Sequence, residues 1–149
     1  MHIEWSRKYN TGIKKIDDQH KKLVDLINIL YDKVVINDDS SSVQEAIVDL
    51  KLYTIFHFGS EEKLFKKHEY NEEDHQDHLK KHKDFIDEIS VYMGDQETSQ
   101  HELGYRLVEY LKKWLFSHIL VCDMKFASFM KKNHFTEITG DDIIFDDDQ

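Results

Sequence analysis

Two pairs of side chains that commonly bind metal ions stand near the middle of this chain. His57 and Glu61 form the first pair, and His78 and His82 form the second, each pair four residues apart. On an α-helix, residues at this spacing project from the same face, rotated by only about 40°. Both pairs also continue an apolar stripe, so we expect them to face a core. Buried imidazoles and carboxylates are costly unless something satisfies them, and a metal ion does so well. The pairs therefore predict a metal site between helices.

The composition favours one all-α domain. The 149 residues include no proline and only five glycines, and the length suffices for a sizeable core. The net charge of −10 argues against nucleic acid or an anionic membrane as a partner, because both would repel the chain. No apolar run approaches the ~20 residues that span a bilayer, and the first residues do not resemble a signal peptide. We therefore expect a cytoplasmic protein.

The apolar spacing predicts four helices, joined by short turns into an up-down-up-down bundle. We expect these helices over about residues 17–35, 42–67, 73–93 and 99–132. An arm, residues 1–16, should pack its aromatic side chains on the bundle, and Gly59 should permit close packing of the second helix. Residues 1–133 then form one domain. The acidic tail, residues 134–149, is no separate domain, and the sequence leaves open whether it is disordered, docks on the body or binds a partner.

Seven polar side chains fall on the predicted inward faces and come from all four helices. Five imidazoles and two carboxylates exceed what one tetrahedral or octahedral ion would take here, so their number predicts two metal ions. The carboxylates could bridge the two ions, with three and two histidines at the ends and one coordination position open. The seven residues are His20, His57, Glu61, His78, His82, His118 and Asp123.

Asp123 fits this pattern least well. It follows His118 by five residues, which is about 140° past a full helical turn and so only a neighbouring direction. Each histidine taken alone would more often be a satisfied core or surface residue, so only the joint occurrence of all seven groups indicates metal. We expect the remaining histidines to be ordinary surface residues. They are His2, His68, His75, His101 and His134.

Four segments of the chain resemble the hemerythrin family, in particular its bacterial members. They are GIKKIDDQHKKL at 12–23, HFGSEE at 57–62, HLKKHKDF at 78–85 and WLFSHILVCDMK at 114–125. The likeness covers nearly the whole bundle and fills all seven ligand positions of the family's pattern. The chain departs from that pattern where Asn71 stands in place of a common proline, in a slightly longer stretch from Tyr70 to His78, and in the acidic tail.

The resemblance implies a non-haem di-iron protein that binds dioxygen reversibly, for storage, delivery or sensing. It implies that three histidines, His78, His82 and His118, hold one iron, and that His20 and His57 hold the other. Glu61 and Asp123 would bridge the irons together with an oxo or hydroxo group. Dioxygen would bind at the iron with two histidines and be held there as a hydroperoxide.

Reversible binding also requires a dry pocket. Trp114, Leu115 and Ile119 lie close to His118 in sequence and are candidate walls of that pocket. Phe58 and Leu23 are further candidates. We expect all five residues to pack in the apolar core whether or not they line a pocket.

The donor set favours oxygen binding over catalysis. Di-iron oxygenases and ferritin-like proteins use four carboxylates and two histidines, and anionic oxygen donors stabilise highly oxidised iron better than imidazoles do. We therefore expect no enzyme. The alternatives are a di-iron oxidase or peroxidase, and a protein for storage or detoxification of iron or another metal, since the same ligands would accept zinc or manganese. A protein partner is unknown, and the sequence does not decide between a monomer and a homo-oligomer.

Overall fold

The computed structural model describes residues 2–36, 42–95 and 98–133. Two π-helical segments interrupt its helices: Asp32–Ile36 extends the first helix, and His118–Asp123 joins the last two. The chain thus forms four helical rods, and the predicted all-α four-helix bundle is confirmed. The α-helices are α1 Lys14–Tyr31, α2 Val43–Lys67, α3 Glu72–Gly94, α4 Gln100–Ser117 and α5 Met124–Lys132.

Consecutive helices are neighbours in space, as the up-down-up-down order requires. α1 packs against α2 and α4, and α3 packs against the same two helices. A large apolar cluster fills one part of the bundle, with Leu50 and Phe85 almost completely buried. A smaller cluster around Phe65 and Phe126 fills the end where α5 lies. No helix in the described ranges is long and apolar enough to cross a membrane.

The N-terminal arm packs on the bundle as expected. The backbone N–H of Ile3 donates to Oδ1 of Asn28 at 2.8 Å, and Nδ2 of Asn28 donates back to the Ile3 carbonyl at 3.0 Å. The Tyr9 ring stacks on Phe116 with 4.7 Å between centroids. These contacts tie the arm to α1 and α4. The acidic tail, residues 134–149, lies outside the described residues.

Helix α1 begins at Lys14, three residues before the predicted start, so Asp17 lies in the first turn and does not cap the helix. The Asp17 carboxylate instead reaches back across the first turn. It accepts hydrogen bonds from the backbone N–H and hydroxyl of Thr11, both at 2.8 Å, and from the backbone N–H of Gly12 at 3.1 Å. Gly12 has a φ of 89°, which glycine adopts without steric cost. Asp17 therefore holds the arm in the orientation from which α1 starts.

The turn between α2 and α3 uses Asn71 as a helix cap. Its Oδ1 accepts a hydrogen bond from the backbone N–H of Asp74 at 3.3 Å, which satisfies one of the free N–H groups at the start of α3. Glu69, two residues earlier, has a φ of 51°, the left-handed conformation that closes the turn. The asparagine that departs from the family's common proline thus provides a cap of its own.

The expected close packing at Gly59 is wrong. A Cβ placed there meets no atom of another described element within 4 Å. The close approach occurs at Gly104 in α4 instead, where a Cβ would overlap the side chain of Val34. Gly59 faces away from the core, so its backbone is left open on the outside of α2.

Replacing Asp17 by alanine should lower the free energy of unfolding by about 2–4 kcal/mol, since two buried backbone N–H groups and the Thr11 hydroxyl lose a charged acceptor. Asp18→Ala is the matched control, because Asp18 is exposed and forms a surface ion pair with Lys14 at 3.0 Å; it should cost less than about 1 kcal/mol. Chemical denaturation of the metal-free chains measures both. Equal losses for the two variants would contradict the anchoring role of Asp17.

Candidate metal centre

The seven side chains predicted as ligands meet in one layer between the two apolar clusters. Each is almost completely buried, with an exposed fraction between 0% and 4%. They form two groups that share Glu61, and within each group one potential ligand atom of every residue lies within 4.8 Å of the others. The groups are Glu61 with His78, His82 and His118, and Glu61 with His20, His57 and Asp123.

Three imidazole nitrogens converge in the first group. Nε2 of His118 lies 3.1 Å from Nε2 of His78 and 3.3 Å from Nε2 of His82. An imidazole nitrogen that carries no proton offers its lone pair to a cation. Such convergence is typical of a site whose ligands surround a cation.

The two carboxylates each direct one oxygen toward each group. Oε1 of Glu61 lies 2.5 Å from Nε2 of His57, and its Oε2 lies 3.2 Å from Nε2 of His78. Oδ2 of Asp123 lies 2.8 Å from Nε2 of His20, and its Oδ1 lies 3.2 Å from Nε2 of His118. Both carboxylates therefore stand between the two sets of imidazoles.

Seven buried nitrogen and oxygen atoms of this layer indicate whether the layer fits a metal ion. Some of them lie near an atom of opposite charge, but none has a partner in hydrogen-bonding geometry. An unsatisfied buried polar group costs roughly 1–3 kcal/mol, so a layer of them is unfavourable unless it binds something. A cation satisfies nitrogen and carboxylate oxygen donors together, and the residues fit it. The atoms are Nδ1 and Nε2 of His20, Nε2 of His57, Oε1 and Oε2 of Glu61, and Oδ1 and Oδ2 of Asp123.

The model of the family described as Hemerythrin HHE cation binding domain matches residues 11–129 of this chain. The chain belongs to the hemerythrin family.

Individual hemerythrins show the same relationship. Bacteriohemerythrin of Pseudomonas paraeruginosa is 36% identical over 118 residues, covering 79% of this chain and 74% of that protein. The hemerythrin-like protein of Naegleria gruberi is 30% identical over 124 residues, covering 83% and 90%. A crystal structure of wild-type hemerythrin superposes with a TM-score of 0.73 at 24% identity, covering 85% of this chain and 95% of that one. The likeness thus spans the whole bundle.

Burial and neighbouring charges shift the pKa values in this hemerythrin layer. Burial lowers the pKa of His20 and His78, but the carboxylates of Asp123 and Glu61 outweigh it and raise these pKa values to about 9 and about 10. The pKa of His57 is lowered, because burial dominates there. Burial also raises the pKa of Glu61, yet the imidazoles, His57 first, hold it well below its usual range. The carboxylate stays ionised, which is the form that binds a cation.

The π-helical segment His118–Asp123 explains how Asp123 reaches the layer. An α-helix would turn residue i+5 well away from residue i, whereas a π-helix closes its hydrogen bonds between residues five apart and brings them together. Our prediction of one uninterrupted helix over residues 99–132 is therefore wrong at this point. The signal was available, because two ligands five residues apart can both face one core only if the helix is widened between them.

Two residues that the sequence did not single out orient the ligands. Oε1 of Gln19 lies 2.6 Å from Nδ1 of His57, and Nε2 of Gln19 donates to Oγ of Ser60 at 3.2 Å. Oε1 of Glu62 lies 3.3 Å from Nδ1 of His82. These contacts hold the Nδ1 atoms and leave the Nε2 atoms of both imidazoles for a metal. Both residues stand beside the inward faces, so helical spacing alone does not identify them.

One histidine outside the two groups is also buried. His75 is 9% exposed, and its ring lies 5.4 Å from the ring of Phe65. The expectation of an ordinary surface residue is therefore wrong for His75, since the first turn of α3 presents it to the smaller apolar cluster. His134 lies outside the described residues.

Two of the five candidate pocket residues contact ligand imidazoles. Phe58 stacks on His82 with 3.7 Å between ring centroids, and Trp114 stacks on His118 at 4.5 Å. Phe58 and Trp114 thus cover the three-histidine group. The other three are at most 3% exposed and belong to the large apolar cluster: Leu23, Leu115 and Ile119.

Replacing Gln19 by leucine should weaken metal binding by about 10- to 100-fold, because His57 loses the group that fixes its orientation and tautomer. Competition between the metal-free chain and a chelator for cobalt(II) measures the affinity. Gln76→Leu makes the same change on an exposed face of α3, where Gln76 donates a hydrogen bond to Glu72, and should leave the affinity unchanged. Identical affinities for the two variants would remove Gln19 from the site.

Proposed function

We propose that this hemerythrin binds dioxygen reversibly at two iron ions, in oxygen storage, delivery or sensing. The observation that carries the proposal is the convergence of five imidazoles and two carboxylates in two groups that share Glu61. The names of the relatives, bacteriohemerythrin and hemerythrin-like protein, support it. His78, His82 and His118 would hold one iron and His20 and His57 the other, with Glu61 and Asp123 between them.

The donor set supports binding rather than catalysis. Two irons, when bound, supply the two electrons that reversible binding of dioxygen requires. Neutral imidazoles outnumber carboxylates five to two in this layer, and such a set stabilises highly oxidised iron less than a carboxylate-rich one does. The chain's own part is to fix these imidazoles, which Gln19 does for His57 and Glu62 does for His82.

The apolar side chains around the layer would exclude water and external acid. Leu115 and Ile119 are 1% and 0% exposed, and Leu23 is 3% exposed. A polar group in their place would hold water near the irons and favour irreversible oxidation. Phe58 and Trp114 would close the layer over the three-histidine group by stacking on His82 and His118. Dry surroundings would be the second requirement for reversible binding, and the burial of these side chains supports it.

A visible absorption spectrum tests the function directly. The metal-free chain is reconstituted with iron(II) without oxygen, exposed to air and then purged with argon. A charge-transfer band that appears in air and disappears under argon is the expected result. A band that decays irreversibly while added reductant is consumed would favour an oxidase or peroxidase. The absence of a band in chains with two irons, or the binding of more than two metals per chain, would favour metal storage.

Leu115→Asn should speed the irreversible loss of the oxygen-dependent band by about tenfold, which corresponds to about 1.4 kcal/mol in the barrier. Leu52→Asn is the matched control, because Leu52 is 62% exposed on α2, and it should leave the rate unchanged. Leu115→Met conserves volume and apolarity, so it separates a packing effect from a polarity effect. The rate is followed in air at a temperature where denaturation curves show every variant folded. A rate for Leu115→Asn equal to that of the control would exclude Leu115 as a pocket wall.

A further inference from the structure

Helix α2 exposes an apolar stripe on the side that faces away from the metal centre. Val48, Leu52, Ile55 and Phe56 have exposed fractions of 39%, 62%, 47% and 57%. At about 100° per residue, these four positions fall within an arc of about 100°. No other helical element in the described part of the chain carries more than two exposed large apolar residues. We call these four residues the α2 outer stripe.

An exposed stripe of this kind marks an interaction surface when it is contiguous. Gly59 continues the α2 outer stripe by one more turn, and a Cβ there would meet open space. Glycine within a helix costs about 1 kcal/mol relative to alanine. No close contact among the described residues requires a glycine at position 59. A helix from another molecule could approach the α2 backbone closely at this point.

Opposite charges flank the two ends of the α2 outer stripe. Glu45 precedes it and Lys63 follows it, and both side chains are exposed. The two residues are 18 positions apart, which is five full turns at 3.6 residues per turn, so they lie on the same edge of the stripe. Within the described ranges of the chain, neither has an ion-pair partner. The charges are thus available to a second molecule.

The α2 outer stripe and its two flanking charges are complementary to a second copy of α2 that runs in the opposite direction. In an antiparallel pair centred on Thr54, Leu52 of one copy lies opposite Phe56 of the other, and Glu45 lies opposite Lys63. The two-fold axis places the edge that carries Glu45 and Lys63 on the same side of both helices. An ion pair between Glu45 and Lys63 therefore forms at each end of the contact. The same register places Asp49 opposite Gly59, which carries no side chain.

We propose that the α2 outer stripe joins two copies of this chain in an antiparallel, two-fold symmetric dimer. One register places Leu52 opposite Phe56 and Glu45 opposite Lys63 at the same time. A parallel pair would instead place Glu45 beside Glu45 and Lys63 beside Lys63. His57 and Glu61 project from the opposite side of α2 and are 0% exposed, so association leaves the metal centre untouched. The dimer is independent of the proposed oxygen binding.

Sedimentation equilibrium of the full chain at micromolar concentrations tests the proposal, with and without metal. The wild-type chain should dimerise. Leu52→Glu should weaken association by more than tenfold, because it places two carboxylates in the apolar contact. Val91→Glu is the matched control, since Val91 is 66% exposed on α3, and it should leave association unchanged. Circular dichroism checks that both variants are folded.

A charge exchange tests the register. Glu45→Lys and Lys63→Glu should each weaken association by about tenfold, since each opposes like charges at both ends of the stripe. The double variant Glu45→Lys with Lys63→Glu should restore association to near the wild-type level. A wild-type chain that stays monomeric, or a dimer that Leu52→Glu leaves intact, would overturn the proposal. Failure of the double variant to recover would overturn the antiparallel register.

Discussion

The bundle is organised around one buried polar layer that is energetically costly without a bound cation. Seven imidazole and carboxylate side chains lie at 0% to 4% exposure, and seven of their nitrogen and oxygen atoms have no hydrogen-bond partner. The apolar clusters on either side hold the four rods together and force these groups to meet. Any cation that binds there satisfies the groups only in the folded chain, so its binding free energy adds to the stability of the fold. Metal affinity and folding are therefore coupled in this protein.

The sequence predicted the part of this layer that follows from the α-helical repeat. His57 with Glu61, and His78 with His82, stand on regular helices, where a spacing of four residues fixes a common face. The inward position of Asp123 does not follow from the α-helical repeat, because it depends on a π-helical segment that widens the turn after His118. Intrinsic helix propensity does not distinguish α from π, and the demand that both ligands face inward is a tertiary constraint.

Residues beside the ligands escaped prediction for a related reason. Gln19 precedes His20 in α1 but bonds to His57 on α2, a contact that depends on how the two helices pack. Glu62 stands one position after the inward-facing Glu61, yet its length lets it reach His82 on α3. His75 became buried because the smaller apolar cluster extends to the first turn of α3. Periodicity assigns a face to each residue, whereas the reach of a side chain and the distance between helices decide its partners.

Helix α2 shows how ligand residues resolve an ambiguity in apolar patterning. Its apolar side chains extend around much of the helix, with Leu50 buried on one side and Leu52 exposed on the other. A helix that is apolar on all sides normally indicates burial on all sides. His57 and Glu61 identify the inward face, because only that face can meet ligands from three other helices. The proposed dimer covers the remaining apolar residues, and the charges of Glu45 and Lys63 favour one orientation of the partner. An unrelated apolar partner would account for the stripe alone, whereas a reversed second copy also accounts for the two charges and for the glycine between them.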